Sequence, residues 1–157
     1  MPSLHLTTFI AAPVKRVFDL SRSINLHKIS TMDTKEDAIA GTTTGLINLN
    51  ETVTWRAKHL YKVRQFTSKI MEMKMPVYFV DEMLHGDFKR FRHEHHFKDI
   101  DNGTIMIDVI EFESPYGLIG RLFNKFYLEN YMETFLIKRN NVIKKYAETD
   151  RWKVILN

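Results

Sequence analysis

Polar and apolar residues alternate from Leu4 to Ile10, with Leu4, Leu6 and Thr8 on one side and His5, Thr7 and Phe9 on the other. That period of two predicts a first strand. Pro13 follows, a residue suited to a helix start because its missing N–H is not needed there. Val14, Val17, Phe18 and Ser21 then fall at helical spacing, and a second short helix is predicted from Ile24 to Ile29 with Leu26 and Ile29 inward. Lys35 to Ala40 reads as a weak strand, and the loop from Gly41 to Gly45 lacks the lysine of a phosphate cradle. From Glu51 to Ser114 the chain reads as consecutive strands: Thr52–Leu60, Arg64–Met75, Val77–Leu84, Phe88–Phe97 and Thr104–Phe112. Short turns separate them, at His85-Gly86-Asp87 and at the hairpin signal Asp101-Asn102-Gly103. After Ser114-Pro115-Tyr116-Gly117, apolar residues from Ile119 to Ile143 recur at steps of three and four, which predicts one amphipathic helix of roughly 30 residues from Leu118 to Ala147. The tail from Thr149 to Asn157 is predicted to add a strand-like segment.

Strands in succession followed by one helix argue an α+β class. A single helix cannot cover both faces of about seven strands, so the sheet must curl around it. Length and composition fit one domain over residues 1–157: hydrophobic residues make up 44% and aromatics 12%, enough for a real core. Lys and Arg number 23 against 19 Asp and Glu, a mild net charge of +4 whose basic residues are interspersed with acids. Nucleic-acid binders cluster their basic residues, so no nucleic-acid partner is expected. No cysteine is present, which removes disulfides, thiol nucleophiles and Cys-based metal sites. The start MPSLHLTTFI reads as a strand and not as a signal peptide, and no apolar run reaches membrane-spanning length. The expected setting is therefore the cytoplasm, without stable membrane insertion.

Several stretches carry a family resemblance: Val53–His59 (VTWRAKH), Pro76–Met83 (PVYFVDEM), Gly86–Phe97 (GDFKRFRHEHHF) and Phe112–Gly120 (FESPYGLIG). With the order of elements, they resemble the START-like (SRPBCC) superfamily. The likeness is to a bacterial branch of ligand-binding, polyketide-cyclase-like proteins, some of which are labelled cell-division proteins. The resemblance covers about residues 3 to 148. It implies the helix-grip fold, a curved antiparallel sheet wrapped around a long C-terminal helix with two short helices after strand 1. It implies function only weakly, because carriers, sensors and enzymes share this scaffold.

Register decides which side chains line the interior. A turn at His85–Asp87 pairs Leu84 with Phe88 and puts Phe79, Asp81, Met83, Phe91, His93, His95 and Phe97 on the concave face. A two-residue Asn102-Gly103 turn brings Asp108, Ile110 and Phe112 beside the histidines, whereas a three-residue turn brings Val109 and Glu111 instead. Trp55 and His59 lie four apart on one strand face, and Met71, Met73 and Met75 form a stripe whose adaptable side chains suit a cavity floor. Leu122 and Phe126 from the helix complete the candidate lining. The plain alternative for the methionines and Trp55 is ordinary core.

Three readings of the histidines stay open. They pair with acids such as Asp108 as structural hydrogen bonds of the inner wall. They hold the polar end of an otherwise apolar ligand. Or they serve metal or acid–base chemistry, since His-x-His puts two imidazoles on one face with a carboxylate in reach. No Ser-His-Asp order, HExxH, P-loop or GxGxxG occurs, so no catalytic residue, metal or cofactor is assigned. The expected function is binding of an apolar or amphipathic molecule (lipid, isoprenoid or aromatic polyketide-like), as carrier or sensor. A cyclase, dehydratase or hydrolase using a His–Asp pair is one alternative, and a protein-interaction module related to cell division is another. The apolar tail Trp152–Leu156 must dock somewhere, and a homodimer partner is one candidate place.

Overall fold

The computed structural model describes residues 3–114 and 127–157. The chain runs β1 (Ser3–Ile10), α1 (Val14–Ser21), α2 (Ile24–Ser30), a 3-10 turn (Met32–Thr34), β2 (Asp37–Gly41), β3 (Thr52–His59), β4 (Lys62–Lys74), β5 (Tyr78–His85), β6 (Arg90–Ile100), β7 (Gly103–Glu113), α3 (Glu129–Glu148) and α4 (Trp152–Leu156). The seven strands form one antiparallel sheet in the order β1-β7-β6-β5-β4-β3-β2. It curves around α3, which packs on β1, α1 and α2. The first strand thus returns to pair with the last, and the two short helices plug the resulting concavity.

Local chemistry explains the element boundaries. Ser23 separates the two short helices, and its hydroxyl accepts the Leu26 amide at 3.1 Å as the N-cap of α2. The β6–β7 turn is Asp101-Asn102, with Ile100 opposite Gly103. Gly103 has φ +153 and lies so near β1 that an added Cβ would sit 2.3 Å from the Ile10 carbonyl oxygen, so glycine is required there. The inner faces interdigitate in two hydrophobic clusters. In the first, Phe18 meets Phe79 and Phe97 edge-on, at 5.5 and 5.2 Å, among Ile10, Leu20, Leu26 and Met106. The second gathers Leu4, Phe91, Ile110, Phe112, Leu128 and Leu136. Each fully buried side chain of this size contributes about 1.5–3 kcal/mol.

The structure corrects some sequence-based expectations. The tail forms a short helix, α4, because Trp152, Ile155 and Leu156 lie three and four apart and pack on the first cluster. Ile29 is 36% exposed, since Ile24 and Leu26 already supply the inward side of a helix of seven residues. In β4 the register shifts between Ile70 and Glu72, so that Ile70 faces Asp81 and Glu72 faces Val80. Met71 is the extra residue of this bulge and is exposed, as is Met75 beyond the strand, whereas Ile70 is buried. Only Met73 of the predicted methionine stripe turns inward, and it packs on the first cluster. Gly117 and the early part of the predicted long helix, with Gly120, Leu122 and Phe126, lie outside the described residues. Among the described residues no helix is long and apolar enough to cross a membrane.

Candidate functional site

A cavity of about 380 Å3 lies between the concave sheet and α3. Its wall is mostly apolar, with Ile24, Val53, Phe66, Ile70, Leu128 and Leu136 among its members. The predicted residues Trp55, His59, Phe79, Asp81, Phe91, His93, His95 and Ile110 all line it. Phe112 and Met83 belong to the second cluster instead, and Asp108 stands fully buried behind the wall. The β5–β6 register is two residues from the sequence expectation: Asp81 faces His93 and Glu82 faces Arg92. A shift of two preserves the faces, which is why the concave set survives it. On the convex side Arg92 meets Glu72, Glu82 and Glu94, each at 3.2 Å, so the Lys89–Arg92 run is an outer strand face with Phe91 turned inward.

One polar centre is built around Asp108. His93 Nε2 lies 2.7 Å from Asp108 Oδ1. From α3, Asn140 Nδ2 donates to Oδ2 at 2.7 Å and Arg139 Nη1 donates to Oδ1 at 3.4 Å. Arg139 also donates to Asn140 Oδ1 and to the Ser21 carbonyl, and Asn140 reaches Thr8 Oγ1. Burial alone would push the Asp108 carboxyl up, but the hydrogen bond with His93 and the charge of Arg139 hold it well below the usual carboxylate range.

Beside it, His95 is clasped between rings. Phe79 stacks on one face at 4.1 Å and His93 on the other at 3.6 Å. His95 Nε2 is 2.8 Å from Asp81 Oδ2, while Nδ1 is buried, has no hydrogen bond, and stands 3.6 Å from Asp108 Oδ1. Burial, with His93 and Arg139 nearby, pushes the His95 imidazole well below its ordinary value, and burial raises the Asp81 carboxyl. Asp81, His93 and His95 each offer a ligand-type atom within 4.8 Å of the others. The two imidazole planes are only 27° apart, however, so their in-plane lone pairs run side by side instead of converging, and a shared metal would require one ring to turn.

A second polar centre was not anticipated from the sequence. Glu36, after the 3-10 turn, is buried between His27 Nε2 at 2.6 Å and His59 Nε2 at 3.0 Å. His59 Nδ1 in turn meets the Tyr131 hydroxyl of α3 at 2.5 Å, and His27 packs on Trp55. Burial pushes the Glu36 carboxyl up, but the two imidazoles outweigh it and hold it down at about 2. Nothing in the strand pattern marks Glu36. Arg139 and Asn140 did leave a signal: Leu136, Arg139, Asn140, Ile143 and Ala147 make up the buried stripe of α3, so the inward face of the helix passes through two polar residues.

No family model matches the chain, and no curated protein matches it in sequence. Solved structures do match its architecture. Protein TTHA0849 from Thermus thermophilus superposes with a TM-score of 0.76 at 17% identity, over 93% of this chain and 97% of that one. The Zhui aromatase/cyclase from Streptomyces sp. R1128 gives 0.74 at 14% identity, covering 94% and 93%. Ginseng major latex-like protein 151 from Panax ginseng gives 0.70 at 13%, covering 94% and 98%. The chain has the helix-grip fold that these structures share. Likeness at these identities carries the fold alone.

Proposed function

We propose that the whole chain works as one domain that binds an apolar or amphipathic small molecule, of lipid, isoprenoid or aromatic polyketide-like character, in the cavity between sheet and α3, as a carrier or sensor. The observation that carries this reading is the cavity itself: about 380 Å3, walled mainly by aliphatic and aromatic side chains, with polar groups concentrated at two points. Small-molecule sites have this composition, apolar for affinity and polar at a few places for orientation. The lining residues Trp55, Phe79, Phe91 and Ile110 supply contact area, and Asp81, His93 and His95 supply the orienting end.

Native purification followed by solvent extraction and mass spectrometry tests the reading. A stoichiometric apolar molecule in the extract is the expected result. An empty extract, together with failure of apolar fluorescent probes to bind, overturns it.

A second reading is favoured by His95, whose imidazole stands between Asp81 and Asp108, and by a structural neighbour described as an aromatase/cyclase. On that reading the cavity moves protons on its ligand. Chemical change of an extracted or offered ligand, lost in His95→Ala, distinguishes it from binding alone.

A further inference from the structure

The polar wall of the cavity specifies what kind of polar end a ligand can bring. Among the described residues the charged groups on the wall already hold counter-charges. Arg22 pairs with Asp19 at 3.0 Å, Arg64 with Asp87, Glu36 with His27 and His59, and Arg139 with Asp108. An ionic head group entering here would lose its water without meeting an uncompensated opposite charge, which is costly.

Asp81 is the exception that remains open. Its side chain is 17% exposed on the cavity wall, Oδ2 is engaged by His95, and Oδ1 takes no hydrogen bond among the described residues. What Oδ1 can do depends on the proton count of the Asp81–His95 pair. If His95 carried a proton on Nε2 alone, the bare Nδ1 lone pair would be buried 3.6 Å from the Asp108 carboxylate, facing negative charge with no donor between them. A proton on Nδ1 removes that repulsion and gives the orphaned atom its natural direction. Nε2 and Asp81 Oδ2 then share a second proton across 2.8 Å. Whichever of the two atoms holds it, the pair is neutral overall, and Asp81 Oδ1 is left as an unengaged hydrogen-bond acceptor on a residue of the cavity wall.

We propose, resting on the binding function above, that the ligand is an uncharged apolar molecule bearing a hydroxyl group, an alcohol or phenol, whose O–H donates to Asp81 Oδ1. The groups facing Asp81 agree with a neutral pair: His93 and His95 from β6, Asp108 from β7, Arg139 from α3 and His27 from α2, in surroundings that raise the Asp81 carboxyl and lower the His95 imidazole.

Three probes of one shape test this: naphthol, methylnaphthalene and naphthoate, titrated against the full chain by calorimetry. Asp81→Leu is expected to weaken naphthol relative to methylnaphthalene by roughly 3- to 10-fold, the worth of one hydrogen bond. Asp81→Asn is expected to keep most of the naphthol preference, because the amide N–H replaces the shared proton on His95 Nε2 and the amide oxygen still faces the ligand. Naphthoate should bind more weakly than naphthol. A naphthol-to-methylnaphthalene ratio unchanged by Asp81→Leu overturns the hydroxyl contact, and so does naphthoate binding more tightly than naphthol in the unmodified protein, a comparison that needs no variant to fold. If methylnaphthalene and naphthol both fail to bind, the hydroxyl proposal is overturned, and the binding function falls with it where the solvent extract is also empty; if both bind and only the discrimination is missing, that function stands and the hydroxyl proposal alone is overturned.

Discussion

Glu36 shows how a single residue can set the acid limit of this protein. Its carboxyl has an ordinary value of 4.5 and is held at about 2 in the folded chain. Between those values the unfolded chain binds a proton that the folded one refuses. The stabilisation is therefore complete above 4.5 and is lost as pH falls toward about 2. A shift of that size corresponds to about 3 kcal/mol. Asp108 acts in the same direction. Asp81 acts oppositely: its carboxyl is raised, so the folded chain keeps a proton that the unfolded one has released, and its contribution worsens as pH rises above 3.8. Urea midpoints measured from neutral pH down to about pH 2 should fall steeply in the wild type and more shallowly in Glu36→Gln. Equal slopes would show that the two imidazoles do not hold the carboxylate. The His93–Asp108 pair could be foreseen from alternation and a hairpin turn. Glu36 could not, because the contact joins a residue after a 3-10 turn to two distant elements, and no local period encodes such a meeting.

At the scale of elements, parity was legible and irregularity was not. The faces of β5, β6 and β7 follow from a period of two, and they survive a turn placed one residue from its real position, because that moves the pairing by two. The strand β4 breaks the same rule. Its alternation of methionine with charge from Met71 to Met75 looks regular, yet the bulge at Met71 hands the inward place to Ile70. A bulge adds a residue without changing composition, so alternation alone does not reveal it. The consequence is measurable. Ile70→Ala should cost about 2–5 kcal/mol in denaturant unfolding, as large-to-small changes in cores do. Met71→Ala, at a surface position, should stay within about 0.5 kcal/mol. The reverse ranking would mean that the stripe faces inward after all.

For the molecule as a whole, the fold class was readable because order and length constrain it: consecutive strands followed by a helix too narrow to cover them flat. The way the parts are tied together was not readable. Asp108 of β7 collects His93 from β6 and Arg139 and Asn140 from α3, and those two reach on to Ser21 of α1 and Thr8 of β1. Five elements thus share one buried ionic knot. If α3 lifts away while the sheet persists, the Asp108 carboxylate stays on β7 without Arg139 and Asn140, a loss of about 3–5 kcal/mol for a broken buried pair. Partial opening is therefore penalised more than its lost contact area suggests. Amide hydrogen exchange should report this directly. Protons around Leu136 to Ile143 on the helix and along β6 and β7 should exchange at a common rate, set by global unfolding, with no intermediate stage in which the helix alone is released. In Asp108→Asn the helix protons should exchange ahead of the strand protons. The residue that holds the histidine at the cavity wall thus also decides whether the protein comes apart in one event or in two.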